Sequence, residues 1–149
     1  GLNKKKHLAS VSSNKKKHCN GDGMHSAHSD RFLDLVKDSL TRVEEIEVAV
    51  VKHALEQEPS FSLLDVREKE EWATSHIPQA VHLSKGVIER DIEQAYPDKD
   101  AHLVLYCGGG FRSALACDNL QKMGYKNVLS MKGGIKAWQR AGYALNTQE

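Results

Sequence analysis

Hydrophobic residues from position 29 onwards follow two alternating patterns. Short apolar runs predict buried β-strands, and segments with apolar residues three and four positions apart predict helices between them. The predicted strands cover 43–46, 61–66, 80–83, 102–106 and 127–130. The predicted helices begin near residues 29, 48, 67, 85, 111 and 134. Strands that alternate with helices within one domain predict an α/β fold, with a parallel sheet of about five strands and helices on both faces.

Several residues mark where the predicted helices begin and end. Ser29 or Asp30 is a favourable N-cap for the first helix, and Ser84 is one for the helix before Pro97. Gly124 follows the helix after residue 111, at a position where glycine commonly ends a helix in the left-handed conformation. Trp138 and Trp72 are predicted to be core residues.

Residues 1–28 differ from the rest of the chain. The sequence Asn-Lys-Lys-Lys-His occurs at 3–7 and again at 14–18, and few apolar residues accompany it. Such a segment buries too little apolar surface to offset its ordering entropy, so we expect a disordered basic tail followed by one domain over 29–149. His18, Cys19, His25 and His28 match no zinc spacing, and we expect no metal.

Length and composition exclude several classes of protein. A chain of 149 residues is long enough to bury a hydrophobic core without disulfide bonds or bound metal. Its net charge of +1 gives no indication of nucleic acid or membrane binding. An apolar run of membrane-spanning length and a signal peptide are both missing from the sequence. Three cysteines give no disulfide framework, which suits a reducing compartment such as the cytoplasm. We expect a monomer.

The segment 102–113 carries the clearest candidate chemistry. An apolar run leads into Cys107, then Gly108, Gly109 and Gly110, and then a segment with helical spacing. The cysteine is therefore predicted at the carboxyl end of a parallel strand and in front of a helix N-terminus, two features that favour a thiolate over a thiol. Glycines allow successive N–H groups to surround the sulfur. The pattern predicts a reactive, anionic sulfur.

A buried structural cysteine beside a glycine-rich connection is the simpler alternative for Cys107. Most cysteines are of that kind. However, each glycine in an ordered segment costs roughly 1 kcal/mol of backbone entropy, and packing alone does not explain three in succession followed by Arg112. The whole segment therefore favours the functional interpretation.

Four motifs in the same order resemble a known family, the single-domain rhodaneses. Leu64-Asp65-Val66-Arg67-Glu68 resembles the family's Asp-Val-Arg-Glu segment, and Ser75-His76-Ile77-Pro78-Gln79-Ala80 resembles its Gly-His-Ile-Pro-Gly-Ala segment. Residues 107–113 resemble its Cys-x-x-Gly-x-Arg-Ser loop, and 133–138 its Gly-Gly-x-x-x-Trp motif. Ser75 and Gln79 stand where the family usually has glycine, and Gly108 stands where it often has a larger residue.

This resemblance implies a sulfurtransferase that works without a cofactor. Cys107 would take the outer sulfur of a donor such as thiosulfate, form a persulfide, and pass the sulfur to an acceptor: cyanide in an assay, a thiol or a protein in the cell. The residues implied to bind the persulfide are Gly108, Gly109, Gly110, Phe111, Arg112 and Ser113. Arg112 has two candidate roles, which are binding an anionic donor and holding the loop to a neighbouring carboxylate.

Other residues of these motifs are expected to be structural. Arg67 is predicted to pair with Glu70 or Glu71, and Asp65 to support the active loop. His76 is expected to be a hydrogen-bonded structural histidine, because a low-pKa thiolate needs no general base. Cys117 is expected to be a core residue.

Two other functions fit parts of the pattern. Cysteine-dependent phosphatases use a related loop, but with five residues between cysteine and arginine, whereas four separate Cys107 from Arg112. A non-catalytic interaction module is the second alternative. The presence of Cys107, the glycines and Arg112 favours catalysis over it.

Overall fold

The computed structural model describes residues 28–147. Residues 1–27 of the predicted tail, with three of its four candidate metal ligands, His18, Cys19 and His25, therefore lie outside the described residues. The described residues divide into two units between Arg42 and Val43. In the first unit, helix α1 (Asp30–Ser39) begins after Ser29, whose hydroxyl accepts a hydrogen bond from the Phe32 N–H group at 3.2 Å. The predicted N-cap is confirmed.

The second unit contains a five-stranded parallel sheet, which confirms the predicted fold class. Its strands are β1 (Glu44–Ile46), β2 (Ser62–Asp65), β4 (Val81–His82), β5 (His102–Tyr106) and β6 (Asn127–Met131). Their spatial order is β1-β6-β5-β2-β4, and every neighbouring pair is parallel. The strand that precedes Cys107 therefore lies at the centre of the sheet.

Four helices lie between successive strands of this sheet and a fifth follows β6, as predicted. They are α2 (Val48–Glu56), α3 (Lys69–Thr74), α4 (Lys85–Ala95), α5 (Phe111–Lys122) and α6 (Gly134–Arg140). A second, two-stranded sheet was not predicted: β3 (Ser75–His76) pairs antiparallel with β7 (Asn146–Thr147). Two polar residues per strand are too few to give a periodic signal.

The helices lie on both faces of the sheet. On one face, Val104, Tyr106 and Met131 form a core with residues of α2 and α6, including Leu55 and Trp138. Side chains alternate between the two faces along a strand, so Ser130 points to the opposite face. There its hydroxyl lies 2.7 Å from the hydroxyl of Ser113 in α5.

Some details differ from the prediction. Trp72 is only half-buried and stacks between the rings of His76 and His82, at centroid distances of 3.5 and 5.3 Å, so it is not a core residue. Ser84 precedes α4 without a side-chain capping bond, and its hydroxyl instead donates to the Glu68 carboxylate at 3.4 Å. Among residues 28–147, every helix is too short or too polar to cross a bilayer.

Candidate active site

Cys107 directly follows β5, and its side chain lies at the mouth of the loop that leads into α5. The residue is 1% exposed. Its sulfur accepts hydrogen bonds from the backbone N–H groups of Gly110 (3.1 Å) and Ser113 (3.3 Å), and the Ser113 hydroxyl lies 3.5 Å away. Backbone N–H groups at the start of a helix stabilise negative charge. The predicted strand, loop and helix thus surround the sulfur with donors.

Two glycines allow the loop to pack against the start of α6. Gly110 has φ +97°, and a β-carbon there would lie 2.9 Å from the Gly133 nitrogen. Gly134 has φ +60°, and a β-carbon there would lie 2.5 Å from the Cys107 carbonyl oxygen. The Ile135 N–H group donates to that same oxygen at 2.9 Å. The Gly-Gly motif therefore holds the backbone of Cys107 in place.

The other two loop glycines differ in their surroundings. A β-carbon at Gly108 would lie 3.1 Å from Nη2 of Arg112, so the guanidinium occupies the space that a larger residue would fill. Gly109 is exposed, and a β-carbon there would meet nothing within 4 Å. A larger residue at position 108 would therefore have to displace the guanidinium of Arg112, whereas one at position 109 would displace nothing.

Arg112 forms a two-pronged ion pair with Glu71 of α3. Nη1 donates to Oε1 at 2.8 Å and Nη2 to Oε2 at 3.1 Å. The hydrogen bonds from Arg112 lower the pKa of the Glu71 carboxyl to about 2, although partial burial opposes the shift. Oε1 also accepts the N–H group of Glu68 at 3.0 Å. Of the two candidate roles for Arg112, the structure shows the one that holds the loop to a carboxylate.

Asp65 and Arg67 form a buried ion pair, which corrects the predicted pairing of Arg67 with Glu70 or Glu71. Nη2 of Arg67 donates to Asp65 at 2.7 Å and to the carbonyl of Ser75 at 2.6 Å, and the Arg67 N–H group donates to Asp65 at 2.9 Å. Asp65 accepts from both the backbone N–H group and the guanidinium of Arg67. These several hydrogen bonds offset the cost of burying two charges, which a single contact would not do. Asp65 pairs in register with Tyr106, next to Cys107.

Tyr106 links this ion pair to the segment after α3. Its hydroxyl accepts the Ile77 N–H group at 3.1 Å. Burial and the neighbouring Asp65 carboxylate raise the pKa of the Tyr106 hydroxyl, which therefore stays protonated. Asp65 and Arg67 thus support the end of β5 through Tyr106. The hydrogen bonds of the Cys107 sulfur go to Gly110 and Ser113 instead.

The remaining residues singled out in the sequence are structural. His76 donates from Nδ1 to the Trp72 carbonyl at 3.0 Å. Cys117 is fully buried, and burial raises the pKa of its thiol, so this second cysteine stays protonated. Cys107 and Cys117 are both free thiols.

The structure adds two residues that the sequence analysis did not assign to the site. Glu71 was considered as a partner of Arg67, whereas it binds Arg112. Ser130 is fully buried and bonds the Ser113 hydroxyl at 2.7 Å. The signal available for Ser130 was a polar residue between the apolar residues Leu129 and Met131, and Glu71 gave no signal because α3 is rich in acids.

A cavity elsewhere in this unit carries no comparable chemistry. Its volume is about 160 Å³. It is lined by Lys52, Leu55, Glu56, Pro78, Gln79, Trp138 and Ala144. None of the residues 107–113 belongs to that lining, so the loop whose N–H groups donate to the Cys107 sulfur remains the candidate site.

Comparisons with known proteins identify the family of this chain. The family model of the rhodanese-like domain matches residues 47–141. YtwF of Bacillus subtilis is 40% identical over 65% of this chain and 91% of its own length. A protein of Allochromatium vinosum named sulfurtransferase is 36% identical over 72% of this chain and 98% of its own. The solved structure of RPA3614 from Rhodopseudomonas palustris, described as a possible tyrosine phosphatase, is 26% identical, with a TM-score of 0.69 over 77% of this chain and 93% of that one.

Proposed function

Since the chain belongs to the rhodanese-like family, we propose that it is a sulfurtransferase in which Cys107 carries the transferred sulfur as a persulfide. The observation that supports this most strongly is the buried Cys107 sulfur, which accepts N–H groups at 3.1 and 3.3 Å. Donors fixed in this way stabilise charge on a sulfur without reorganising during the reaction.

The first step loads the cysteine. The Cys107 thiolate attacks the outer sulfur of a donor such as thiosulfate, a new S–S bond forms, and the old S–S bond breaks. The electron pair of the broken bond leaves with sulfite. A thiolate and a dianion thus give a persulfide anion and sulfite, and the total charge does not change. The loop residues 108–113 would surround the persulfide, and the N–H groups of Gly110 and Ser113, which donate to the Cys107 sulfur, would stabilise its charge.

The second step unloads the cysteine. An acceptor nucleophile attacks the outer sulfur of the persulfide and releases the Cys107 thiolate. Cyanide would give thiocyanate in an assay, and a small thiol or a protein thiol would serve as acceptor in the cell. Both cysteines that the structure describes are free thiols, and we place the reaction in a reducing compartment, the cytoplasm.

Intact mass measurement tests this proposal directly. Wild-type protein and Cys107→Ser are incubated with thiosulfate or an organic persulfide, weighed, treated with cyanide and weighed again. We expect a gain of one sulfur atom on the wild type alone, removed by cyanide with formation of thiocyanate. No gain from any donor on folded, reduced protein would contradict catalysis and would favour an interaction module. Partner binding that persists in Cys107→Ala would then support that module.

A phosphatase is the second candidate, because RPA3614 is described in those terms. Here four residues separate Cys107 from Arg112, and the ring of amide groups is correspondingly small for a tetrahedral phosphate. Arg112, which would have to hold that phosphate, is engaged by Glu71 at 2.8 and 3.1 Å. Release of phosphate from an aryl phosphate by the wild type, lost in Cys107→Ser, would favour this candidate over sulfur transfer.

A further inference from the structure

We propose that Glu71 determines which sulfur donors load Cys107: by occupying Arg112, it removes the loop's attraction for the thiosulfate dianion and favours sulfane donors with at most one negative charge. This inference rests on the proposed sulfurtransferase function. It names a residue outside the loop as a determinant of specificity.

The first step of the argument is the geometry of the ion pair. Both terminal nitrogens of Arg112 donate to Glu71, one to each carboxylate oxygen, at 2.8 and 3.1 Å. The two side chains are 33% and 37% exposed, so the pair lies at the rim of the site. A bidentate arginine–carboxylate pair fixes the direction of the guanidinium. Its charge is therefore directed towards α3 and largely compensated there.

The second step is the charge of the loop itself. Between Cys107 and Ser113, Arg112 is the only residue with a permanently charged side chain, since the others are glycines and Phe111. The negative charges that raise the pKa of Arg112 come from Glu71, Cys107 and Glu68. The loop itself thus offers a donor a single cation, whose charge Glu71 compensates. Each further negative charge on the donor then weakens its binding beside the Cys107 thiolate.

The third step compares two donors that deliver the same sulfur. With an organic persulfide, the Cys107 thiolate attacks the outer sulfur, the S–S bond of the donor breaks, and an organic thiolate leaves with the electron pair. That donor carries one negative charge or none, whereas thiosulfate carries two. Because the covalent change at Cys107 is the same, the difference in charge isolates the effect of Arg112 and Glu71.

Glu71→Gln tests the proposal, with Glu70→Gln as the matched control. Both substitutions remove one acid from α3, but Glu70 is exposed and Arg112 bonds to Glu71. The measured quantity is kcat/KM for thiosulfate divided by kcat/KM for the persulfide of 2-mercaptoethanol. We expect Glu71→Gln to raise this ratio about tenfold at low salt, as one unit of charge a few ångströms from the donor would do in a partly exposed site. We expect less than a twofold change in Glu70→Gln.

The quotient of the two kcat/KM values does not respond to a general loss of activity. A smaller folded fraction or a displaced loop would lower kcat/KM for both donors together. The gain in Glu71→Gln should also shrink as salt is added, since exposed charges are screened. The proposal is overturned if both donors load Cys107 and the ratio stays within twofold of the wild type in Glu71→Gln. If neither donor loads Cys107 in the wild type, the proposed function fails instead.

Discussion

Gly134→Ala is the substitution for which the structure gives the most detailed expectation. Gly134 opens α6 with φ +60°, a conformation that costs an ordinary residue about 1–2 kcal/mol. The added β-carbon would also lie 2.5 Å from the Cys107 oxygen and 2.6 Å from the carbonyl carbon of Gly108. Real β-carbons do not approach backbone that closely, so α6 and the loop must move apart.

That movement breaks identifiable bonds. The N–H groups of Ile135 and Lys136 donate to the carbonyls of Cys107 and Gly108 at 2.9 and 3.1 Å. Each such bond contributes about 1 kcal/mol. Together with the conformational cost, we expect the free energy of unfolding to fall by about 3–4 kcal/mol, a large share of the roughly 5–15 kcal/mol of a typical domain. Displacement of the loop by about 1 Å should lower the rate of Cys107 loading on the order of 100-fold.

Gly142→Ala is the matched control. Gly142 also has a left-handed backbone, at φ +81°, but a β-carbon there would meet nothing within 4 Å. Urea denaturation should therefore show a loss of only about 1–2 kcal/mol, and the rate of persulfide formation should not change. If Gly134→Ala proves as stable and as active as Gly142→Ala, the close approach between α6 and the loop does not hold the site together, and the reasoning is wrong.

Three further predictions follow from single residues. Gln79 has a left-handed backbone, with φ +74°, at a position where the family usually has glycine. Gln79→Gly should therefore raise the free energy of unfolding by about 1 kcal/mol, measured by urea denaturation. A lower urea midpoint would contradict backbone strain at this position. Because Arg112 lowers the pKa of Glu71 from its ordinary 4.5 to about 2, the stability that the pair contributes is complete above pH 4.5 and lost as the pH falls towards 2. Urea midpoints between pH 5 and pH 2 should therefore fall more steeply for the wild type than for Glu71→Gln, and parallel curves would refute the linkage. Ser130→Ala removes the Ser130 hydroxyl, which is a hydrogen-bond partner of the buried Ser113 hydroxyl. The free energy of unfolding should fall by about 1–2 kcal/mol, measured by urea denaturation. No change would mean that the Ser113 hydroxyl finds another partner.

The sequence was most informative where one residue type meets a strict backbone requirement. The loop from Cys107 to Ser113 was recognised because its glycines are costly unless the backbone needs them, and the Gly-Gly motif at 133–134 was recognised from the family resemblance. The structure shows that need in the positive φ angles of Gly110, Gly133 and Gly134. The five-stranded parallel sheet followed equally well from its apolar runs, since buried strands leave a strong pattern.

Side-chain partners were harder to predict, because several candidates compete at similar separations in sequence. Arg67 had Asp65, Glu70 and Glu71 within four residues, and the choice of Asp65 depends on the common burial of both groups beside β5. Arg112 lies 41 residues from Glu71, so only the packing of α3 against the loop brings them together. Trp72 was misassigned because an aromatic residue on a charged helix can stack on histidines at the surface as readily as enter a core.

The order of the strands also has a consequence for synthesis of the chain on the ribosome. The central strands β2 and β5 are both available once residue 106 has left the ribosome, and β6 joins them about 25 residues later. Strand β1 precedes all of them in the chain, but its sheet neighbour is β6. The first strand to emerge is therefore the last of these four to be paired, and its unpaired edge remains open while more than half of the domain is translated.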